Sequence, residues 1–226
     1  MDRFGTSSNS TFVTMGDFNN DDKLDIAVST YHNIINILLG HGNGTFHNEN
    51  TFNVASGPSS VVAGDFNNDK RLDLAIANCY DRSASILLGN GDGTFKDPST
   101  FWAGGGSCAV TAGDFNNDNN LDIITADNGQ NDVRILFSDG KGALPSSQSI
   151  GGVVAPVFVS VGDLNDDINL DLVILSDFDA NIQVIFGYDN GPKSAAIGHF
   201  NKENKQGLAV VNSEDNNVAV LLNSCS

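Results

Sequence analysis

Four stretches of this chain carry oxygen-bearing side chains at one repeated spacing. The first reads Gly16-Asp17-Phe18-Asn19-Asn20-Asp21-Asp22-Lys23-Leu24-Asp25. With its first Asp as position 1, oxygen side chains stand at positions 1, 3, 5 and 9: Asp17, Asn19, Asp21 and Asp25. The second copy supplies Asp65, Asn67, Asp69 and Asp73, and the third Asp114, Asn116, Asp118 and Asp122. The fourth supplies Asp163, Asn165, Asp167 and Asp171. Position 7 is Lys23, Arg71, Asn120 or Asn169, a variation in chemistry that suits a backbone carbonyl donor. Hard oxygen donors at alternate positions of a tight loop are what Ca2+ requires, with roughly six to eight oxygens at about 2.3–2.6 Å. Mg2+ wants fewer protein ligands and a stricter octahedron. Zinc would call for Cys or His, and these four loops hold neither. These residues are therefore the candidate metal ligands, and about four Ca2+ ions are the expected cofactor.

Plain polar turns are the simpler reading, because Asn and Asp favour turns. Turn chemistry asks for two or three such residues, not three Asp at positions 1, 5 and 9 in four copies. Carboxylates converging without a cation would repel one another. A fifth, eroded copy, Gly198-His199-Phe200-Asn201-Lys202-Glu203-Asn204-Lys205-Gln206-Gly207-Leu208, has His199 and Gly207 at positions 1 and 9. No ion is expected in that loop.

The elements that must hold these loops are read from the same repetition. The first Asp recurs at 17, 65, 114 and 163, in steps of 48, 49 and 49. A second marker recurs with it: Ile37-Leu38-Leu39-Gly40, Ile86-Leu87-Leu88-Gly89, Ile135-Leu136-Phe137-Ser138, Val184-Ile185-Phe186-Gly187 and Val220-Leu221-Leu222-Asn223. Both markers step by only 36 into the fifth copy. Each unit reads as short strands, as in Ser60–Ala63, Leu72–Ala77, Ala84–Leu88 and a weaker one near Thr100–Trp102. Such runs, rich in Val, Ile, Leu and Phe and bounded by Gly, Asn and Asp, are strand signals. Nothing sustains a helical period. Four strands per unit of about 45–50 residues is the pattern of propeller blades.

The expectation is an all-β chain, one β-propeller domain over 1–226, with five blades of about 48 residues. Its loops lie at 17–25, 65–73, 114–122, 163–171 and a degenerate 199–207. The fourth blade is shortened by loss of its outer strand. Met1–Ser8 would supply the outer strand that unit five lacks, so that the termini close the ring. A larger ring cut short is the competing reading.

Composition bounds the partners. Lys and Arg number 11 against 28 Asp and Glu, a formal charge of −17. Nucleic acid and anionic membranes need a basic footprint, so neither is expected as a partner. No run is long and apolar enough for a transmembrane helix, so no membrane insertion is expected. Four Ca2+ ions would bring −17 to −9, so the acidity is largely that of the loops. Cys79, Cys108 and Cys225 are too few for a disulfide framework. One pair is possible, but buried or free thiols are the simpler reading. Sequons at Asn9-Ser10-Thr11 and Asn43-Gly44-Thr45 permit secretion.

The Gly-Asp-Phe-x-x-Asp-x-x-Leu-Asp loops and the Leu-Gly-x-Gly-x-Gly-Thr-Phe turns resemble FG-GAP repeats, also described as VCBS repeats. The resemblance covers about residues 4–223. It implies an integrin α-subunit-like β-propeller, a Ca2+ ion in the loop joining the first two strands of a blade, and a mainly extracellular or cell-surface role in adhesion or ligand binding. The sequence departs from the family at position 3, Asn where Asp is frequent, and at position 6, where Asp22, Lys70, Asn119 and Ile168 replace the usual Gly.

The function expected is a non-enzymatic, calcium-binding interaction module, with a protein or glycan partner left open. The alternative is a propeller lectin. Trp102 is the sole Trp, and Tyr31 and Tyr80 occupy equivalent places after the second strand. Phe18, Phe66, Phe115 and Phe200 recur as core positions. No Gly-x-Ser-x-Gly signature occurs, and His32, His41, His47 and His199 bear no repeat relation, so no enzyme is expected.

Overall fold

The computed structural model describes residues 9–47, 50–177, 182–187, 195–198, 207–212 and 217–222. All elements among them are strands, arranged in five antiparallel sheets whose strands follow chain order. The first sheet is β1 (Ser10–Gly16), β2 (Asp25–Thr30), β3 (Ile34–Leu38) and β4 (Asn50–Asn53). The second is β5 (Pro58–Gly64), β6 (Asp73–Asn78), β7 (Ser83–Leu87) and β8 (Ser99–Trp102). The third is β9 (Ser107–Gly113), β10 (Asp122–Asp127), β11 (Asp132–Phe137) and β12 (Ser146–Ile150). The fourth has three strands among the described residues, β13 (Pro156–Gly162), β14 (Asp171–Ser176) and β15 (Ile182–Ile185). The fifth is β16 (Ala195–Gly198), β17 (Gly207–Asn212) and β18 (Asn217–Leu222).

This is the β-propeller pattern expected from the repeats. The fourth sheet, expected to lack its outer strand, has three strands among the described residues, and residues 188–194, where a fourth would fall, lie outside them. Met1–Ser8 and residues 199–206 lie outside the described residues, and with them the proposed terminal strand, Phe200 and most of the fifth loop.

The first strands β1, β5, β9 and β13 lie side by side, so each sheet stacks its face on the next. Three apolar clusters fill the three seams. Alternation along β6 sends large residues one way and small ones the other. Leu74 and Ile76 of β6 pack towards Ala27, Ile35 and Ile37 of the first sheet. Ala75 and Ala77 of the same strand face Ile123 and Leu136 of the third. Ile124 and Ala126 then meet Leu172 and Ile174 of the fourth. Pairing small with large lets twisted sheets approach without voids. Phe18, Phe66 and Phe115 are buried, as expected.

One expectation needs correction. Cys79, just after β6, is joined to Cys108 in β9 by a disulfide, so these are not free thiols. The bond ties the second sheet to the third. Sequence spacing of 29 residues gives no hint of it, because only sheet stacking brings the end of β6 beside β9. Cys225 lies outside the described residues.

Candidate metal centre

Each acidic loop joins the first two strands of its sheet, and four loops share one backbone. Positions 4 and 6 take the left-handed conformation throughout: Asn20 and Asp22, Asn68 and Lys70, Asn117 and Asn119, Asp166 and Ile168. Asn and Asp tolerate that region, whereas a β-branched Ile at φ 77° does so only under strain.

Side-chain oxygens lock this shape. In the first loop the amide of Asp21 donates to Asp17 Oδ1 at 3.1 Å and that of Asp22 to Asp17 Oδ2 at 2.7 Å. Asn19 Oδ1 accepts from the amide of Asp21 at 3.1 Å, and Asp21 Oδ1 accepts from that of Lys23 at 3.0 Å. The same four bonds recur at Asp65, Asn67 and Asp69. They recur again at Asp114, Asn116 and Asp118. Asp163, Asn165 and Asp167 repeat them in the fourth loop. Positions 1, 3 and 5 therefore share one short loop, with their remaining lone pairs free for other donors or a cation.

Position 9 stands apart from these. Asp25, Asp73, Asp122 and Asp171 are wholly buried. One oxygen of each accepts the amide of position 2, from Phe18, Phe66, Phe115 and Leu164. The other accepts an amide beyond the third strand, from Gly40, Gly89, Ser138 and Gly187. This carboxylate pins strands one, two and three together beneath the loop. Burial raises the pKa in the second, third and fourth loops: Asp73 and Asp122 are each pushed up to about 6, and Asp171 is raised. The two amides pull the other way, and the nearby carboxylates at positions 5 and 1 add to the rise. By contrast Asp163 is lowered, chiefly by the amide of Ile168.

The predicted ligands are thus brought to one loop in each repeat, but carboxylates 1, 5 and 9 do not converge. Among the described residues no group of three His, Cys, Asp or Glu is spaced to hold a metal ion. The second oxygen at position 5 has its own partner. In the first loop this is Lys23 Nζ at 3.0 Å, which lowers the Asp21 pKa. In the others it is the amide nitrogen of Asn67, Asn116 or Asn165. Arg71 stands 4.0 Å from Asp69. At position 7, Lys23 and Arg71 thus offer a charge towards position 5 as well as a carbonyl, while Asn120 and Asn169 accept from Asn68 and Asn117 of the preceding loop. The donor set fits a hard cation by chemistry: oxygens only, with net negative charge and one buried carboxylate that two amides compensate incompletely.

Comparison with known proteins follows the same frame. A model of the FG-GAP-like repeat matches residues 17–76, 66–125 and 114–174, each match opening at or beside position 1 of a loop and running through the next loop. The chain belongs to the FG-GAP-like repeat family. No curated protein matches it. Two solved structures share the FG-GAP-like chain's fold. A crystal structure of BBS1N in complex with ARL6DN, soaked with lead, aligns with a TM-score of 0.55 at 11% identity, over 98% of this chain and 70% of that one. A second, soaked with mercury, aligns with a TM-score of 0.53 at 13% identity, over 92% and 62%. Likeness at such identity shows the propeller fold alone.

A second polar group, at the seam between the second and third sheets of the FG-GAP-like array, was not foreseen. Arg134 of β11 lies 4.4 Å from the ring centre of Trp102 in β8. Its guanidinium bonds Asp132 at 3.1 Å, and Ser149 donates to the other Asp132 oxygen at 2.7 Å. Arg134 Nε is buried with no hydrogen-bond partner. A cavity of about 450 Å3 opens here, lined by Gln130, Asn131, Asp132, Arg134, Ser149 and Gly151. The signal in the sequence was a charged pair, Asp132 and Arg134, at alternate positions of an otherwise apolar strand. Tyr31 and Tyr80 do meet, edge to face with ring centres 5.6 Å apart and their hydroxyls hydrogen-bonded.

Proposed function

We propose that this chain is a Ca2+-stabilised, non-enzymatic interaction module that works outside the cytosol, in adhesion or ligand binding. One observation carries the reading. The same loop is built four times, with one backbone shape and one oxygen set, in a chain of formal charge −17. The Asp and Asn side chains at positions 1, 3 and 5 and the carbonyl at position 7 would hold the ion, and the buried carboxylate at position 9 would join them only by giving up one of its two amides. The cation would supply the positive charge that the buried position-9 carboxylate lacks. Its role would be structural, fixing the loop and so the three strands that position 9 joins.

The Cys79–Cys108 bond supports placement in an oxidising compartment, since such bonds are rare in the cytosol. Ca2+ affinities of extracellular modules, about 10⁻⁴–10⁻³ M, would fill these sites only outside cells. Each independent site adds about 2.7 kcal/mol when free Ca2+ is a hundredfold above Kd. Thermal unfolding in about 2 mM Ca2+, in Mg2+ and in chelator tests this. A rise in Tm specific to Ca2+, with about four ions bound by titration, is expected. No shift would make the loops polar turns and remove the reading.

A glycan partner is favoured by one further observation, the Trp102–Arg134 seam. Trp102 is 57% exposed, a flat apolar face beside a polar cavity. Its emission reports on this place alone, as no other Trp exists. Titration with a saccharide panel should shift that emission, and Arg134→Ala should remove the shift. An emission unmoved by every sugar would leave a protein partner.

A further inference from the structure

The turn between β3 and β4 carries His41 and His47 on one face. Gly40 and Phe46 form an antiparallel bridge, the amide of His41 donates to the Thr45 carbonyl at 2.9 Å, and that of His47 donates to the Leu39 carbonyl at 2.7 Å. In this register the two histidines are diagonal neighbours, a separation that aromatic side chains span. Their ring centres stand 3.9 Å apart, with the planes tilted by 49°. Both residues are exposed, and neither imidazole has a hydrogen-bond or ion-pair partner among the described residues. The tip that joins them is held in shape. Gly42 and Gly44 take the left-handed conformation, and Asn43 Oδ1 accepts from the Thr45 amide at 3.0 Å and its hydroxyl at 2.7 Å.

Repeat two builds the same turn without the pair. Around the bridge of Gly89 and Phe95, the amide of Asn90 donates to the Thr94 carbonyl at 2.9 Å and that of Lys96 to the Leu88 carbonyl at 2.8 Å. Asn90 and Lys96 stand at the places of His41 and His47, and repeat three has Asp139 and Pro145 there. The turn therefore does not need histidine for its shape, and of these three repeats only the first carries histidine at both places. Lys23 passes the tip of the turn at Gly42, but its ammonium is held by Asp21 at 3.0 Å, so that charge is already paired.

Two unpartnered imidazoles side by side on a hairpin make a chelate. Neutral imidazole binds Cu2+, Ni2+ and Zn2+, with metal–nitrogen distances of about 2.0–2.1 Å for zinc. At that length, two donors at right angles on one ion lie roughly 2.9 Å apart. The tilt brings the rings nearer on one side than at their centres. Rotation about the Cβ–Cγ bond, a soft torsion, sets which nitrogens lie on that side. Ca2+ is not served here, because it takes oxygen ligands. Zn2+ sites take three or four protein ligands, and this face offers two nitrogens. For two nitrogens completed by water, affinity is greatest for Cu2+ and next for Ni2+. We infer that His41 and His47 form a surface site for a divalent transition-metal ion, Cu2+ foremost. The site differs from the acidic loops in ligand chemistry and does not rest on their binding Ca2+.

Titration of the tag-free full chain with Cu2+, in excess Ca2+, tests the site. The tightest Cu2+ should show nitrogen hyperfine structure from two imidazoles in its electron paramagnetic resonance spectrum. His41→Asn with His47→Lys gives repeat one the residues on which repeat two builds the same turn, so the hairpin is kept. Loss of an outer-shell partner of a metal ligand costs about 10–100-fold in affinity, and loss of the ligands themselves costs no less. The double variant should therefore bind Cu2+ at least about tenfold more weakly and lose the two-imidazole signal. His32→Asn, at an exposed histidine of the same repeat, should change neither. A smaller loss in the double variant overturns the proposal, as does a signal without two imidazoles or one that His32→Asn removes. Cu2+ held instead by the carboxylates of the loops would survive the double substitution, so the outcome does not depend on whether those loops hold Ca2+.

Discussion

Repeats two and four carry the same motif on the same loop backbone, yet their apolar residues fare differently. Phe66 is 1% exposed and its counterpart Leu164 is 54% exposed. The place of a Cβ on Gly64 is filled by Leu121, whereas no described residue comes within 4 Å of a Cβ on Gly162. The hydrogen bonds that shape the two loops nevertheless match one for one. Loop shape is thus a local property, set by Asp and Asn reaching their own backbone. The Gly, Phe and Leu of the motif act between repeats and gain their stabilising effect only from a neighbour.

The widest gap should come from truncating position 2. Phe66→Ala removes a ring packed on Leu121 and should cost about 3–5 kcal/mol in urea unfolding. Leu164→Ala should cost well under about 1 kcal/mol. Equal losses would mean that repeat four is packed as repeat two is, and the contrast would vanish.

Titration sharpens the comparison at position 9. In chelator, carboxyl resonances of Asp73 and Asp122 should show midpoints near 6. These folded pKa values lie above the unfolded value of about 3.9, so the native state holds the proton more tightly. Their contribution to stability is therefore present below about pH 4 and is lost as pH rises towards 6. Bound Ca2+ should draw both midpoints down. Midpoints near 4 without metal would show that the two amides suffice for the buried charge.

The smallest effect concerns backbone strain. Ile168 is 87% exposed with φ 77°, so its side chain packs little and its backbone is disfavoured. Ile168→Gly should stabilise the chain by about 1 kcal/mol. Lys70→Gly, at φ 65°, should gain less because an unbranched residue resists that region less. A loss of stability at Ile168 would point to a role for its side chain in repeat four.

Much of this was legible in the chain because the repeat supplies its own controls. Strand positions followed from Val, Ile and Leu runs recurring beside Gly and Asn turns, and the loops from Asp at fixed offsets. What escaped depends on distance in space. Position 9 reads as a ligand in the sequence, but its carboxylate also reaches Gly40, Gly89, Ser138 or Gly187 across the sheet. Arg134 meets Trp102 only because the outer strand β8 of the second sheet stacks against β11 of the third. Leu164 reads as core by its place in the motif and is exposed because no described side chain covers it.

The bond between Cys79 and Cys108 has a consequence for how the molecule comes apart. In an array whose cohesion is a sum of nearest-neighbour terms, melting proceeds as a zipper from the weakest boundary. A covalent staple across the central seam makes sheets two and three a shared foldon, the last to open and the first place from which reassembly can spread in both directions. Reductant alone should therefore change the order in which repeats lose amide protection, moving the slowest-exchanging protons away from that seam.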